Sequence, residues 1–240
     1  MRKDYRPYYL KRFYNRFQKW YAQYFLAPQF EYFGKGCVFM KPWHVEVFGG
    51  PVYLGDQATV IGTPDRKVRF TVWPVWDGAG RIELGRCCLI CPGTRIMSAT
   101  SVTMGDGCMT AQNVSISDAD WHDIYDRSAP VGSTKAVKIG NNVWLGDSSI
   151  VCKGVTIGDN AIIGAGSIVV KDIPANAIAA GNPAKVIKYL DPDKPMRTRT
   201  DWLADSAKLA ADFEIIDRAF MKGNTLRGWF RSILFPRRGD

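Results

Sequence analysis

The chain has 240 residues, 46% of them hydrophobic, which is enough for a packed core and excludes a disordered chain. Its net charge of +9 sits at the two ends: residues 1–20 hold seven Lys/Arg and one acid, residues 225–240 hold four Arg and one acid, and the remainder balances. No stretch approaches the roughly 20 apolar residues of a membrane span, and charges interrupt every apolar stretch near the start, so no signal peptide is expected and a cytoplasmic location is.

Residues 1–35 read as an amphipathic basic and aromatic helical segment. Leu10, Phe13, Tyr14, Phe17, Trp20, Tyr21, Tyr24 and Phe25 recur at spacings of three and four, and Lys11, Arg12, Arg16 and Lys19 are expected on the opposite side of the helical wheel. Two uses fit that pattern. The helix can lie on an anionic bilayer, or its apolar face can dock on the rest of the chain or on a neighbouring subunit. His44, in "KPWHVEVF", stands in an alternating stretch beside Trp43 and reads as a hydrogen-bonded structural histidine.

Residues 36–190 carry a six-residue period. Ile139, Leu145, Val151, Ile157, Ile163 and Val169 follow at intervals of six, usually with glycine next: Gly140, Gly146, Gly158 and Gly164. Neither a helix nor a hairpin has this period; a solenoid of short strands and turns does, with the repeated aliphatic pointing inward and stacking one coil on the next. The period recurs upstream at Leu84, Ile90, Ile96 and Val102, slips by two residues, and resumes at Met104, Thr110 and Ile116. A fainter trace at Leu54 and Val60 precedes an insertion expected around "RKVRFTVWPVWDGAG". Between Ile116 and Ile139 the repeat breaks for an excursion placed at 117–137, "SDADWHDIYDRSAPVGSTKAV", and loops held by a rigid scaffold are where function tends to be placed.

Among six cysteines only Cys88 and Cys91 form a C-x-x-C pair. No second pair or nearby histidine completes a zinc site, so reduced thiols and no metal are expected. Residues 191–240 read as a C-terminal helical, basic tail, with a helix at Leu203, Ala207, Ala210 and Phe213 followed by the Trp/Phe/Arg mixture "TLRGWFRSILFPRRGD". Nucleic acid is not expected as a partner, because no recognition motif is present and the middle of the chain is neutral.

The stretch "NVWLGDSSIVCKGVTIGDNAIIGAGSIVVKDIP" from Asn142, with "AAGNPAKVIK" ending at Lys188, resembles the hexapeptide-repeat acyltransferases, most nearly their galactoside and maltose O-acetyltransferase branch. The resemblance weakens back to Leu84 and does not cover the ends. It implies a mainly β fold, a left-handed parallel β-helix here flanked by amphipathic helices, assembled as a homotrimer with acetyl-CoA in grooves between subunits. It also implies a loop histidine as general base, and His122 matches that position; a neutral imidazole in reach of a sugar hydroxyl removes its proton as attack proceeds. Asp118, Asp120 or Asp123 could orient the ring, as could a backbone carbonyl.

On the acceptor side the resemblance points to Asn113, Asp120 and Arg127, against the plainer readings of a stacked corner asparagine for Asn113 and a surface ion pair for Arg127. On the donor side it points to Trp144 near the thioester, to the small residues Gly146, Gly164 and Ala165 along the pantetheine arm, and to Lys171, Lys185 and Lys188 at the phosphates. Asp147 and Val170 depart from the commoner serine and threonine along that groove.

The function expected is therefore acetyl-CoA-dependent O-acetylation of a saccharide hydroxyl. If the basic ends bind the inner face of the membrane, the acceptor is a lipid-linked sugar or surface-polysaccharide precursor. Rival readings are N-acylation of a nucleotide amino sugar, transfer of a longer acyl chain, and a non-catalytic β-helical scaffold. A zinc carbonic anhydrase of this fold needs three histidine ligands, and the chain has two histidines.

Overall fold

A computed structural model describes residues 4–73, 80–129 and 131–238. Basic Arg2 and Lys3, residues 74–79 of the expected insertion, Pro130 of the excursion and residues 239–240 lie outside the described residues.

The six-residue period becomes a left-handed parallel β-helix. Three parallel ladders form its faces, each strand only two to five residues long. Face 1 runs Tyr32–Phe33, Val52–Leu54, Ile82–Leu84, Val102–Met104, Val137–Ile139 and Thr156–Ile157. Face 2 runs Val38–Met40, Thr59–Ile61, Leu89–Ile90, Met109–Thr110, Trp144–Leu145 and Ile162–Ile163, and ends in the hairpin of Ala177–Gly181 with Ala184–Tyr189. Face 3 runs Val45–Phe48, Val68–Val72, Arg95–Ser98, Ser115–Ser117, Ile150–Val151 and Ile168–Val169.

Every aliphatic of the period points into the prism. Ile96, Ile116 and Val151 stack as register partners on face 3, Ile90, Leu145 and Ile163 lie on face 2, and all are fully buried. Thr110 fills a face 2 position of the period, and its hydroxyl is paired with that of Thr94 at 2.9 Å, so this polar intrusion is satisfied. The slip by two residues has a simple cause. Face 1 strands such as Val102–Met104 bury two side chains instead of one, so that coil is longer, and Met104 pairs back to Leu84. Below it Ile139 pairs directly with Ile157.

Corners need left-handed backbone, and asparagine tolerates it. Asn142, Asn160 and Asn176 occupy one corner with φ between 53° and 60°, and their side-chain amides hydrogen-bond in series at 3.0 and 2.9 Å.

Two expectations are corrected. The insertion expected from Arg66 to Gly80 begins later, because Val68–Val72 is a strand of face 3 whose Val68, Phe70 and Val72 point inward. The alternation V-R-F-T-V is a period-two signal that a search at period six passes over. The N-terminal helix α1 (Tyr8–Tyr21) also presents different faces from those expected. It buries Gln18, whose side-chain oxygen accepts from the Lys41 N–H, while Tyr9, Phe13, Phe17 and Trp20 are exposed and share one groove with Arg12 and Arg16. Lys11 and Lys19 lie outside that groove, and Lys11 forms an ion pair with Asp217 at 2.7 Å.

The C-terminal segment divides into α2 (Arg199–Trp202), α3 (Ser206–Phe220) and α4 (Leu226–Leu234), and Leu203 ends α2 instead of joining a single helix. The two chain ends meet. Tyr8 donates to Glu214, the Asn224 amide donates to the carbonyls of Asp4 and Arg6, and Arg231 lies over the Tyr5 ring. Among the described residues no helix is long and apolar enough to cross a membrane.

Ile116→Ala, which empties a position enclosed above and below by Ile96 and Val151, is expected to lower the unfolding free energy by about 2–5 kcal/mol. Val170→Ala, on an exposed side chain, is expected to cost under about 0.5 kcal/mol. Denaturant titration at a fixed protein concentration compares the two.

Candidate active site

The excursion leaves the prism at the edge between faces 3 and 1 and is fastened at its root. Asp118 is fully buried, and its carboxylate accepts from the Ser98 hydroxyl at 2.8 Å and from the backbone N–H groups of Ala99, Thr100 and Ser101 at 2.7, 2.8 and 2.6 Å. A buried carboxylate survives when its oxygens are this fully hydrogen-bonded. The returning strand closes the base, with Lys135 N–H on the Asp118 carbonyl, an isolated bridge between Ala119 and Thr134, and Gly132 N–H on the Asp120 carbonyl. Gly132 packs so closely on this chain that a Cβ there would lie 2.4 Å from the His122 carbonyl oxygen.

His122 stands on this loop with its side chain exposed, and among the described residues its ring has no hydrogen-bond partner. The three carboxylates named as candidate orienters are all engaged elsewhere. Asp118 holds the loop root, Asp120 is ion-paired with Lys153 of the next coil, and Asp123 accepts the N–H groups of Tyr125 and Asp126, which hold its carboxyl below the usual range. Arg127 is exposed near the loop tip.

Asn113 occupies a different edge, between faces 2 and 3, at φ 58°. It stacks over Gly93, where a Cβ would meet the Asn113 side-chain oxygen at 2.4 Å, and with Arg66, Lys67, Arg69 and Arg95 it lines a cavity of about 270 Å³.

The donor-side residues fall mostly on that same edge. A Cβ on Gly146 would lie 2.6 Å from the Ala165 nitrogen, and one on Gly164 would lie 2.8 Å from the Ala180 Cβ, so successive coils approach here to backbone contact. Ala180 pairs with Lys185 across the hairpin, and Lys188 pairs with Ile178, which is in register with Ile162 and, through it, Trp144. Trp144 is 46% exposed on face 2. Lys171 is not with this group. It follows Val169 at the edge between faces 3 and 1, on the side from which the His122 loop leaves. Asp147 is exposed and its carboxylate is occupied by the Ser148 hydroxyl at 2.6 Å; Val170 is exposed.

Within one chain, then, the histidine loop and the small-residue groove with Lys185 and Lys188 occupy different edges of the prism. Sequence reasoning missed two further groups: the aromatic run Phe48, Trp73 and Trp121 beside the loop, and the cations flanking Asn113 at the other edge of face 3. Trp121 was adjacent to the catalytic candidate and available as a signal; the cations lie in two separate segments, 66–69 and 95, and meet only through register.

Several cysteine thiols are held above the ordinary thiol range. Burial pushes Cys37 up to about 11 and raises Cys91, and hydrogen bonding with Cys108 together with burial raises Cys88. Among the described residues no group of three or more His, Cys, Asp or Glu is placed to hold a metal ion.

Comparison with known proteins agrees with the repeat. Residues 136–171 match the family described as bacterial transferase hexapeptide (six repeats). Over 125 residues the chain is 42% identical to the galactoside O-acetyltransferase of Escherichia coli K12, a stretch covering 50% of this chain and 61% of that protein. Over 111 residues it is 41% identical to the polysialic acid O-acetyltransferase of Escherichia coli O1:K1, covering 45% of this chain and 36% of that protein. The match thus spans between about a third and three-fifths of these relatives' own lengths. A solved maltose O-acetyltransferase from Clostridium difficile 630 aligns at 29% identity over 76% of this chain and 83% of that one, with a TM-score of 0.45.

Asp118→Ala removes the acceptor for four donors and is expected to cost about 1–3 kcal/mol for each buried N–H it leaves unpaired. Limited proteolysis is expected to cut first inside residues 119–136 in the variant and not in the parent protein.

Proposed function

From a β-helix whose lower coils carry the hexapeptide repeat of bacterial transferases, we infer that this chain is an O-acetyltransferase that moves an acetyl group from acetyl-CoA to a saccharide hydroxyl, with His122 as general base. The observation that carries the reading is the position of His122: an exposed imidazole on the one long excursion among the described residues, anchored to a rigid coil by buried Asp118. The imidazole accepts the hydroxyl proton as the sugar oxygen attacks the thioester carbonyl carbon, and collapse of the tetrahedral intermediate breaks the C–S bond. The thiolate of coenzyme A leaves and takes up the proton.

The donor's pantetheine arm is assigned to the edge of Gly146, Gly164 and Ala165, where small residues leave backbone groups open. Exposed Lys185 and Lys188 meet its phosphates, and Trp144 flanks the thioester. Because that edge is not the one bearing His122, a complete site takes its base from one chain and its donor groove from another, which supports a homotrimer. Lys171, on the edge of the loop, then meets the donor held by a neighbour. Asn113, Asp120 and Arg127 are assigned to the acceptor.

The helical ends support a peripheral membrane position on the cytoplasmic face, and with it a lipid-linked saccharide acceptor. The fold joins both basic ends into one helical layer on which Phe13, Trp20, Phe230 and Leu234 stay exposed. Interleaved Arg12 and Arg16 suit anionic headgroups while the rings enter the interface.

Intact-mass analysis of saccharide acceptors incubated with acetyl-CoA is expected to show one added acetyl group. His122→Ala is expected to lower the rate about 10²–10⁴-fold, and equal turnover by both proteins refutes the base assignment. In a vesicle-sedimentation assay, the double variant Arg12→Glu, Arg16→Glu is expected to lose binding to vesicles containing phosphatidylglycerol. Absence of binding by the parent protein refutes the membrane position.

A further inference from the structure

Face 3 carries two groups of side chains that donor binding and proton transfer do not use, one at each end of its strands. At the edge shared with face 2, Arg66, Lys67, Arg69 and Arg95 surround the cavity lined by Asn113. Arg69 and Arg95 are direct register partners on neighbouring parallel strands, an arrangement in which like charges destabilise each other. One carboxylate serves this side of the cluster. Glu46 accepts from Lys67 at 2.5 Å and from Arg69 at 2.7 Å, and the two cations hold its carboxyl below the usual range. Arg66 is tied to Asp65 and to the Gln112 side chain. Arg95 is exposed, and its guanidinium has no hydrogen-bond or ion-pair partner among the described residues.

At the other end, Phe48, Trp73 and Trp121 form a run of rings with successive centroids 5.5 and 5.8 Å apart. Phe48 and Trp73 are exposed, and Trp121 directly precedes His122. The Trp121 indole N–H is buried with no acceptor, an arrangement that a bound oxygen atom would relieve. Arg69 and Trp73 are four residues apart, about 13 Å along extended chain. A single sugar ring does not bridge that separation; an oligosaccharide does.

We propose that the outer side of face 3 is the acceptor platform and that the acceptor is an anionic oligosaccharide. Sugar rings stack on Phe48, Trp73 and Trp121 beside His122, a ring oxygen or hydroxyl accepts from the Trp121 indole, and an acidic group farther along meets Arg69 and Arg95. This rests on the transferase reading and names its substrate class. Guanidinium forks fit carboxylate and phosphate equally, so the shared chemistry is that of a sugar-borne oxyanion. A nucleic acid would need a continuous basic stripe, and here the cations form one pocket in a chain whose middle is neutral.

Calorimetric titration of the full-length protein with maltopentaose, oligogalacturonate and pentamannosyl phosphate tests this, with acetyl transfer to each followed by mass in parallel. At least one acidic sugar is expected to bind tenfold or more tightly than maltopentaose, and the advantage is expected to shrink as salt is raised. Arg95→Ala is expected to reduce it below threefold, with partial recovery in Arg95→Lys; Trp73→Ala is expected to weaken all three sugars. A preference for oligogalacturonate identifies the oxyanion as carboxylate, and one for pentamannosyl phosphate identifies it as phosphate. Absence of binding, equal affinity for the three sugars, or an undiminished preference in Arg95→Ala overturns the proposal. Tight acidic binding without any acetyl transfer refutes the transferase reading and leaves the platform standing, whereas transfer with no acidic preference does the reverse.

Discussion

The inward stacking of one branched side chain on the equivalent side chain of the next coil is the interaction on which the molecule depends. Each buried aliphatic contributes about 1.5–3 kcal/mol, and the register partners Ile96, Ile116 and Val151 are locked above and below by their own kind. A column of this sort admits no slippage, because a shift of one residue would turn a whole strand's apolar set outward. The faces and edges of the prism are therefore rigid, and a segment that leaves an edge does so from a defined point.

That rigidity explains how an exposed loop can hold a reactive group in place. The excursion carrying His122 has few apolar anchors of its own, and its position comes from Asp118, whose carboxylate is spent on the turn of the coil above. Buried charge of this kind is costly unless fully paired, and here it is fully paired. The corner columns do the complementary task. Where Gly146 and Gly164 bring coils to backbone contact, the surface is a narrow groove of peptide groups, suited to an extended thioester arm. Base and groove occupy separate edges, so the proposed chemistry arises between chains.

Much of this was legible because the period belongs to the backbone. Six-residue spacing from Ile139 to Val169 predicts the coil, and the break after Ile116 predicts the loop. What was not legible depends on partners distant in sequence. Nothing in "SDADWHD" distinguishes the buried carboxylate of Asp118 from those of Asp120 and Asp123, because the distinction is made by N–H groups of residues 99–101. The pocket cations come from two neighbouring coils and meet through strand register. The aromatic spacing of α1 reads as one apolar stripe, for a bilayer or for docking on the chain; the rest of the molecule covers Gln18 and leaves Phe13, Phe17 and Trp20 in solvent. Periodicity says which residues share a face; it does not say which face the rest of the molecule will cover.

The claim that the site is completed between chains is tested most directly by co-assembly. The His122→Ala variant and the Lys185→Glu, Lys188→Glu double variant are each expected to form inactive assemblies. Co-expressed in one cell, they are expected to yield mixed oligomers that regain a measurable share of parental acetyl transfer, since an intact loop on one chain meets an intact groove on another. Mixed assemblies as inactive as their parents, with subunit exchange verified by mass, would contradict the account.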